Sequence, residues 1–163
     1  MSARGPALLL LLMGGCYSFG APSLPGGVQH LSSVRALDRA GVDVDAAALL
    51  LSALRRRAFS GPEGAEGEGA ELVVELVDQR TNLAALSDPG RRAGEYRAEL
   101  TVLGRLVRAD GKQVWSSPPI VASASYFSTT GGIESLDGQR RSALARAADE
   151  AAEKLLDVLR YSP

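Results

Sequence analysis

The chain has 163 residues, of which 18 are Lys or Arg and 19 are Asp or Glu, so its formal net charge is −1. This length suits a single domain with a substantial core, and the near balance of charges argues against a general nucleic-acid-binding protein. The one cysteine, Cys16, excludes a disulfide within the chain.

The first fifteen residues have the order of a secretory signal. Arg4 is the only charged side chain before Cys16, and residues 7–13 form an apolar run. That run is shorter than the roughly 20 residues that a membrane-spanning helix needs. The segment Met13-Gly14-Gly15-Cys16 resembles the bacterial lipobox, in which small residues give a peptidase access and the cysteine thiol receives diacylglycerol. We therefore expect residues 1–15 to be removed and Cys16 to be lipidated.

Two details of this segment bear on where the protein would go. An unlipidated cysteine at the end of a plain signal peptide is the alternative, but no A-x-A-like cleavage site supports it. Tyr17 follows the cysteine, whereas Asp at that position is the usual inner-membrane retention signal in enteric bacteria. The sorting rule therefore predicts an outer-membrane lipoprotein.

The next part of the chain is predicted to be a tether, a strand and a helix. Residues 16–27 contain several Gly and Pro and suit an extended tether. A single domain is expected over residues 28–163, beginning with a weakly patterned strand over 28–37. Asp43 and Asp45 offer an N-cap, and apolar residues at helical spacing predict an amphipathic helix over 45–59.

The middle of the chain alternates in the manner of half-buried strands. A loop rich in Gly and Glu (60–69) precedes a strand over 70–79, and a second loop is predicted over 83–94. A long strand follows, and Asp110-Gly111 predicts its hairpin turn. Pro118-Pro119 interrupts the return strand, as is allowed at a sheet edge or bulge. Asp137 can cap a last helix that runs to about residue 160.

These elements predict an α+β fold, a two-layer sandwich in which two helices pack on one face of a four-stranded mixed sheet. The first two strands flank a helix, so we expect them to pair in parallel through a right-handed crossover. The matching apolar stripes place six side chains in the core, namely Leu51, Leu54, Leu100, Val102, Leu155 and Leu159.

Motifs for catalysis are lacking. The sequence contains no nucleophile elbow, phosphate loop or zincin motif, and we expect no enzyme activity and no cofactor. His30 is the only histidine, and one imidazole does not make a metal site, which needs about four ligands. The carboxylates of the last helix are interpreted as its solvated face.

Arg91 and Arg92 form the most suggestive pair for binding. They lie in a Pro-Gly segment between two predicted strands, and paired guanidinium groups bind phosphate bidentately. An anionic glycolipid would fit such a pair. The competing interpretation is a solvated loop, because surface charges usually face water.

The order of motifs resembles the LptE family of lipopolysaccharide-assembly lipoproteins. The lipobox cysteine is followed by Tyr17-Ser18-Phe19. The entry Leu24-Pro25-Gly26-Gly27-Val28 leads into the first strand. The similarity continues through the first helix, the strand at Glu71-Leu72-Val73-Val74, the long hairpin turning at Asp110-Gly111-Lys112, and an Ala-rich last helix. It covers essentially the whole mature chain.

The resemblance implies a specific role. LptE-like proteins sit as a plug inside the LptD β-barrel, bind lipopolysaccharide and help to place it in the outer leaflet. No lipid-contacting residue can be transferred by motif. The alternative is a periplasm-facing lipoprotein that regulates a cell-wall synthase or joins a secretion assembly.

Overall fold

Five strands and two long helices make up most of the chain that the computed structural model describes, namely residues 24–41, 44–58, 69–86, 94–128 and 133–162. The predicted α+β sandwich is confirmed. The predicted fourth strand is divided in two, so the sheet has five strands. In chain order the elements are a 3₁₀ turn (Pro25–Gly27), β1 (His30–Asp38), α1 (Val44–Ala58), β2 (Gly69–Leu86), β3 (Gly94–Arg108), β4 (Gln113–Ser116), β5 (Ile120–Ser128) and α2 (Ile133–Tyr161).

The long β3 is the centre of the sheet. It pairs antiparallel with β2 along its whole length, with β4 near its end and with β5 over residues 94–102, while β1 pairs parallel with β2. The change of partner from β5 to β4 occurs around Gly104, whose N–H donates to the Ser117 hydroxyl (2.8 Å), while Ser117 N–H donates to the Gly104 carbonyl (2.8 Å). Pro118 and Pro119 lie between β4 and β5, where no backbone N–H is needed for sheet hydrogen bonds.

The turn between β3 and β4 forms at the predicted Asp110-Gly111. Gly111 N–H donates to the Arg108 carbonyl and Arg108 N–H to the Lys112 carbonyl, at 2.9 and 3.0 Å. Gly111 has a φ of 82°, a left-handed conformation that glycine adopts without strain. The hairpin turn predicted from the sequence is confirmed.

Both helices lie on the same face of the sheet, as predicted, and the core fills the space between them. Five of the six predicted core side chains are fully buried: Leu54, Leu100, Val102, Leu155 and Leu159. Leu51 is only partly buried, because the helical phase of α1 turns Leu50 toward the sheet instead. Gly104 lets α2 approach closely, since a Cβ there would lie 2.6 Å from a methyl carbon of Leu155.

The predicted helix caps are wrong at Asp45 and Asp137. Asp45 is already inside α1, where it forms an ion pair with Arg141 (2.8 Å) and suits the positive end of the helix dipole. Asp137 is the fifth residue of α2, because the helix starts a full turn earlier and Leu136 packs against the core. Asp43 lies outside the described residues. Neither described helix is long and apolar enough to cross a membrane.

Strand β2 is longer than its apolar pattern predicts. Residues 83–86 were expected to belong to a loop, but β2 runs to Leu86 because β3 continues to pair with it, through Thr81 with Ala98 and Leu83 with Tyr96. Backbone pairing therefore extends the strand where the side-chain alternation has already ended.

The start of the described chain packs against the end of β3 that leads into β4. Within the Pro25–Gly27 turn, Gly26 has a φ of 70°, and a Cβ there would meet Val114 of β4 at 2.8 Å. The Arg108 guanidinium donates a hydrogen bond to the Gly26 carbonyl, and Val28 is buried. Leu24 therefore lies near the end of the sheet at which β3 turns into β4.

Candidate functional site

The three residues that the sequence singled out, Cys16, Arg91 and Arg92, lie outside the described residues. The segment that contains the two arginines joins β2 to β3, and the strand ends that it connects are paired through Leu86 and Gly94. The strand ends on either side of the segment are described. We define the far end of the sheet as residues 80–86 of β2, residues 94–97 of β3, and Phe127.

His30 lies at the start of β1 and is half-buried. Its Nδ1 is buried without a hydrogen-bond partner, and its Nε2 would be 2.8 Å from a Cβ at Gly69. The described residues contain no group of three or more His, Cys, Asp or Glu side chains that could hold a metal ion. His30 is therefore part of the contact between β1 and β2.

The outer face of the sheet, away from the helices, has its charges paired over β1 and the first half of β2. Arg35 bonds Glu71 (3.2 Å), and Glu75 accepts from both Arg39 (3.4 Å) and Arg105 (2.5 Å). Val73 lies between Arg35 and Arg105 in the strand register and is only 3% exposed, although it is outside the core. Arginine stems commonly cover apolar surface in this way. Each of these charged side chains therefore has an ion-pair partner.

The outer face at the far end differs, because one of its arginines is unpaired. Arg80 bonds Asp78 (2.6 Å). Arg97 is exposed and forms no ion pair with any described residue. It lies opposite Asn82 of β2 and Ser125 of β5, and Gly94, three residues before it, adjoins the segment with Arg91 and Arg92. Among the described residues Arg97 therefore has no ion-pair partner, and Glu95 and Glu99 lie two residues to either side of it on the same face.

Large apolar side chains lie on both faces of the sheet at the far end, and Phe127 is on the same face as Arg97. Leu83 is 51% exposed and Phe127 60% exposed. The strand register places Leu83 beside Tyr96 on the helix side of the sheet, and Phe127 beside Glu95 on the outer side. The rings of Tyr96 and Tyr126 stack with centroids 5.4 Å apart and an interplanar angle of 20°. Exposed apolar side chains of this size, grouped around polar residues, are typical of interaction surfaces.

A shallow cavity opens beside this group, between the end of β5 and the start of α2. It has a volume of about 350 Å³ and is lined by Ser125, Tyr126, Phe127, Gln139, Ser142 and Arg146. Burial raises the pKa of Tyr126 above 10.0; Arg140 lowers it, while Tyr96 and Asp137 raise it further. The phenol therefore stays neutral in the physiological range, and the cavity wall is largely apolar.

Gln79 marks the boundary between the far end and the covered part of the sheet. It pairs with Leu100 and is only 5% exposed, yet neither Oε1 nor Nε2 has a hydrogen-bond partner. Beyond it, residues 80–84 of β2 are all exposed. The helix layer thus ends over Gln79 and leaves the following part of β2 uncovered.

Sequence reasoning identified the segment with Arg91 and Arg92 but not its neighbours at the far end. The alternation of β3 placed Arg97 on the wet face and gave no sign that it is unpaired, which depends on neighbouring strands. Leu83 was assigned to a loop. The alternation of β5 places Tyr126 on the core face and Phe127 on the outer face. This pattern could have predicted the exposed aromatic ring.

Comparisons with known proteins agree with this architecture. The family model described as LptE, lipopolysaccharide-assembly, matches residues 30–159. A search of curated proteins found no match. The fold is similar to that of a lipoprotein from Caulobacter crescentus CB15, with a TM-score of 0.55, 22% identity, and coverage of 78% of this chain and 87% of that one.

More distant structures include the rare lipoprotein B from Shewanella oneidensis, with a TM-score of 0.48 and 14% identity over 77% of this chain and 91% of that one. The family match covers all five strands and nearly all of α2, and so most of the molecule described above. The chain therefore belongs to the LptE family of lipopolysaccharide-assembly proteins.

Proposed function

We propose that this protein is an outer-membrane lipoprotein that binds lipopolysaccharide and acts as a plug and support for an LptD-type barrel. Membership of the family supports lipopolysaccharide assembly. The observation that points to a binding site is the far end of the sheet. Arg97, which has no ion-pair partner among the described residues, shares the outer face with the exposed Phe127 and is close in sequence to Arg91 and Arg92.

This combination suits an amphiphilic anion. Each guanidinium group offers parallel donors and keeps its charge at physiological pH, so that it can bind a phosphate in two places. Phe127, which is exposed on the same face as Arg97, offers apolar contact to the hydrocarbon next to such a head group. Hydrogen bonds to charged groups contribute about 1.5–3 kcal/mol each, so loss of the three arginines should weaken binding severely.

The proposed lipid anchor would join the domain near the end of the sheet opposite the far end. Residues 17–23 separate Cys16 from Leu24 and can span at most about 28 Å. Leu24 lies near the end of β3, and the 15 residues of β3 extend about 48 Å to the far end.

Mass spectrometry of the membrane form should find a diacylglyceryl-type mass increase on Cys16. An unmodified thiol there would contradict the anchor.

The test of binding removes the three arginines together. The variant Arg91→Ala/Arg92→Ala/Arg97→Ala of the full chain should bind purified lipopolysaccharide at least tenfold more weakly in a titration, while its melting temperature stays that of the wild type. The control, Arg35→Ala/Arg39→Ala/Arg56→Ala, makes the same change in charge, but each of its arginines is ion-paired. The control should bind as the wild type does.

A detergent pull-down tests the barrel partner separately. We expect the wild-type protein and both arginine variants to recover a large β-barrel. Unchanged lipid binding in the far-end variant would remove the arginine site but leave the plug. Recovery of a cell-wall synthase or secretion component without a barrel would replace the plug with the alternative lipoprotein role.

A further inference from the structure

The strand β5 is at an edge of the sheet, and side chains of α2 occupy its outward backbone groups. Lys154 Nζ donates to the Val121 carbonyl (3.0 Å) and Arg146 donates to the Ser125 carbonyl (2.7 Å). Between them, the Ser123 N–H donates to the Glu150 carboxylate (3.4 Å). We call Arg146, Glu150 and Lys154 the edge ladder.

The spacing of the ladder follows from the geometry of the two elements. Its members are four residues apart on α2, a rise of about 6.0 Å. Their partners are two residues apart on β5, a rise of about 6.8 Å. The two elements run in opposite directions, and the two spacings differ by less than 1 Å. Long side chains can adjust to a difference of this size. An ion pair between Glu150 and Lys154 (2.7 Å) also fixes the ladder internally.

The backbone groups engaged by the ladder are those that another strand would need. In β5 the even-numbered residues from Ile120 to Tyr126 face the core, and the backbone groups of Val121, Ser123 and Ser125 point away from β3. An edge with free N–H and C=O groups accepts strands from other chains. Val121 is 48% exposed and Phe127 60% exposed, so the edge would also offer apolar contact.

We propose that the edge ladder is an intramolecular substitute for a neighbouring strand, and that it prevents the β5 edges of two copies of this chain from pairing. The ladder engages one backbone group at each of three successive outward positions, where a neighbouring strand would engage two. This inference adds to the proposed function, and its test does not depend on that function.

The test removes the ladder from the full chain in detergent. The variant Arg146→Ala/Glu150→Ala/Lys154→Ala should self-associate, and its protein mass in density-matched sedimentation should double with rising concentration. The control is Arg141→Ala/Asp157→Ala/Arg160→Ala, which removes two cations and one anion from exposed positions of the same helix that do not contact β5. The control should remain a monomer, like the wild type.

A second measurement reports on the edge itself. A labelled peptide with the sequence of residues 120–128 should bind the ladder variant and not the wild type or the control. If the triple variant does not fold, the double variant Arg146→Ala/Lys154→Ala is used, because both side chains are at the surface and Glu150 remains. A folded ladder variant that stays monomeric and does not bind the peptide overturns the proposal, as does equal self-association of the control.

Discussion

The two ends of the sheet differ in how their side chains are used. In the part covered by the helices, Leu72, Leu76, Leu100, Leu106 and Leu155 are wholly buried, and the outer-face charges are tied in ion pairs. At the far end, Leu83 and Phe127 are more than half exposed and Arg97 has no ion-pair partner in the described chain. One end provides stability, and the other has side chains available for binding.

The largest expected effect tests this division directly. Leu100→Ala or Leu155→Ala should lower the free energy of unfolding by about 2–5 kcal/mol, because each leaves a cavity beneath the helices. Leu83→Ala, at the far end, should cost less than about 0.5 kcal/mol, because half of that side chain is already in water. Urea unfolding of the three variants measures the difference, and equal losses would refute the division.

A smaller effect, of opposite sign, is expected at the boundary between the two ends. Gln79→Met keeps the approximate shape of the side chain and removes a buried amide that has no hydrogen-bond partner. Such a group costs about 1–3 kcal/mol, so the substitution should raise the free energy of unfolding by a similar amount. Asn82→Met, at an exposed position farther along β2, is the control and should change stability little. A destabilised Gln79→Met variant would mean that the amide is satisfied in solution.

The smallest effect is a pH dependence at Tyr126. Its pKa in the folded protein is raised above 10.0 by burial, so in alkaline solution the unfolded chain loses this proton first. The protonated phenol of Tyr126 therefore contributes fully to the free energy of unfolding below pH 10. This contribution is lost as the pH rises through the pKa of the folded state. Tyr126→Phe should therefore lose less stability than the wild type between pH 9 and 11. Identical pH profiles in thermal unfolding would contradict the shift.

Several features of the fold were predictable because they depend on local pattern. The alternation of β3 placed Ala98, Leu100 and Val102 in the core, and Asp110-Gly111 fixed the hairpin turn. The parallel pairing of β1 with β2 followed from the helix between them. These features need only the side-chain period and the turn preferences of neighbouring residues.

Other features depend on contacts between distant residues. Asp45 and Asp137 looked like caps, but both lie inside helices whose starts are set by packing and ion pairing. The carboxylates of α2 were interpreted as a solvated face. These side chains are 41–58% exposed, and the structure adds that Asp149 and Glu153 bond Arg56 and Arg57 of α1 while Glu150 bonds the edge of β5.

The sequence by itself determined the two-layer arrangement, the core faces of β3 and α2, and the signal-like segment with Cys16, because hydrophobic period, turn chemistry and motif order are local properties. Only the tertiary structure decided that β2 continues beyond its apolar pattern, that Arg97 has no ion-pair partner among the described residues, and that α2 bonds the β5 edge. Each of these depends on which backbone or charged groups a distant element brings within hydrogen-bonding distance, and no local pattern in the chain records that.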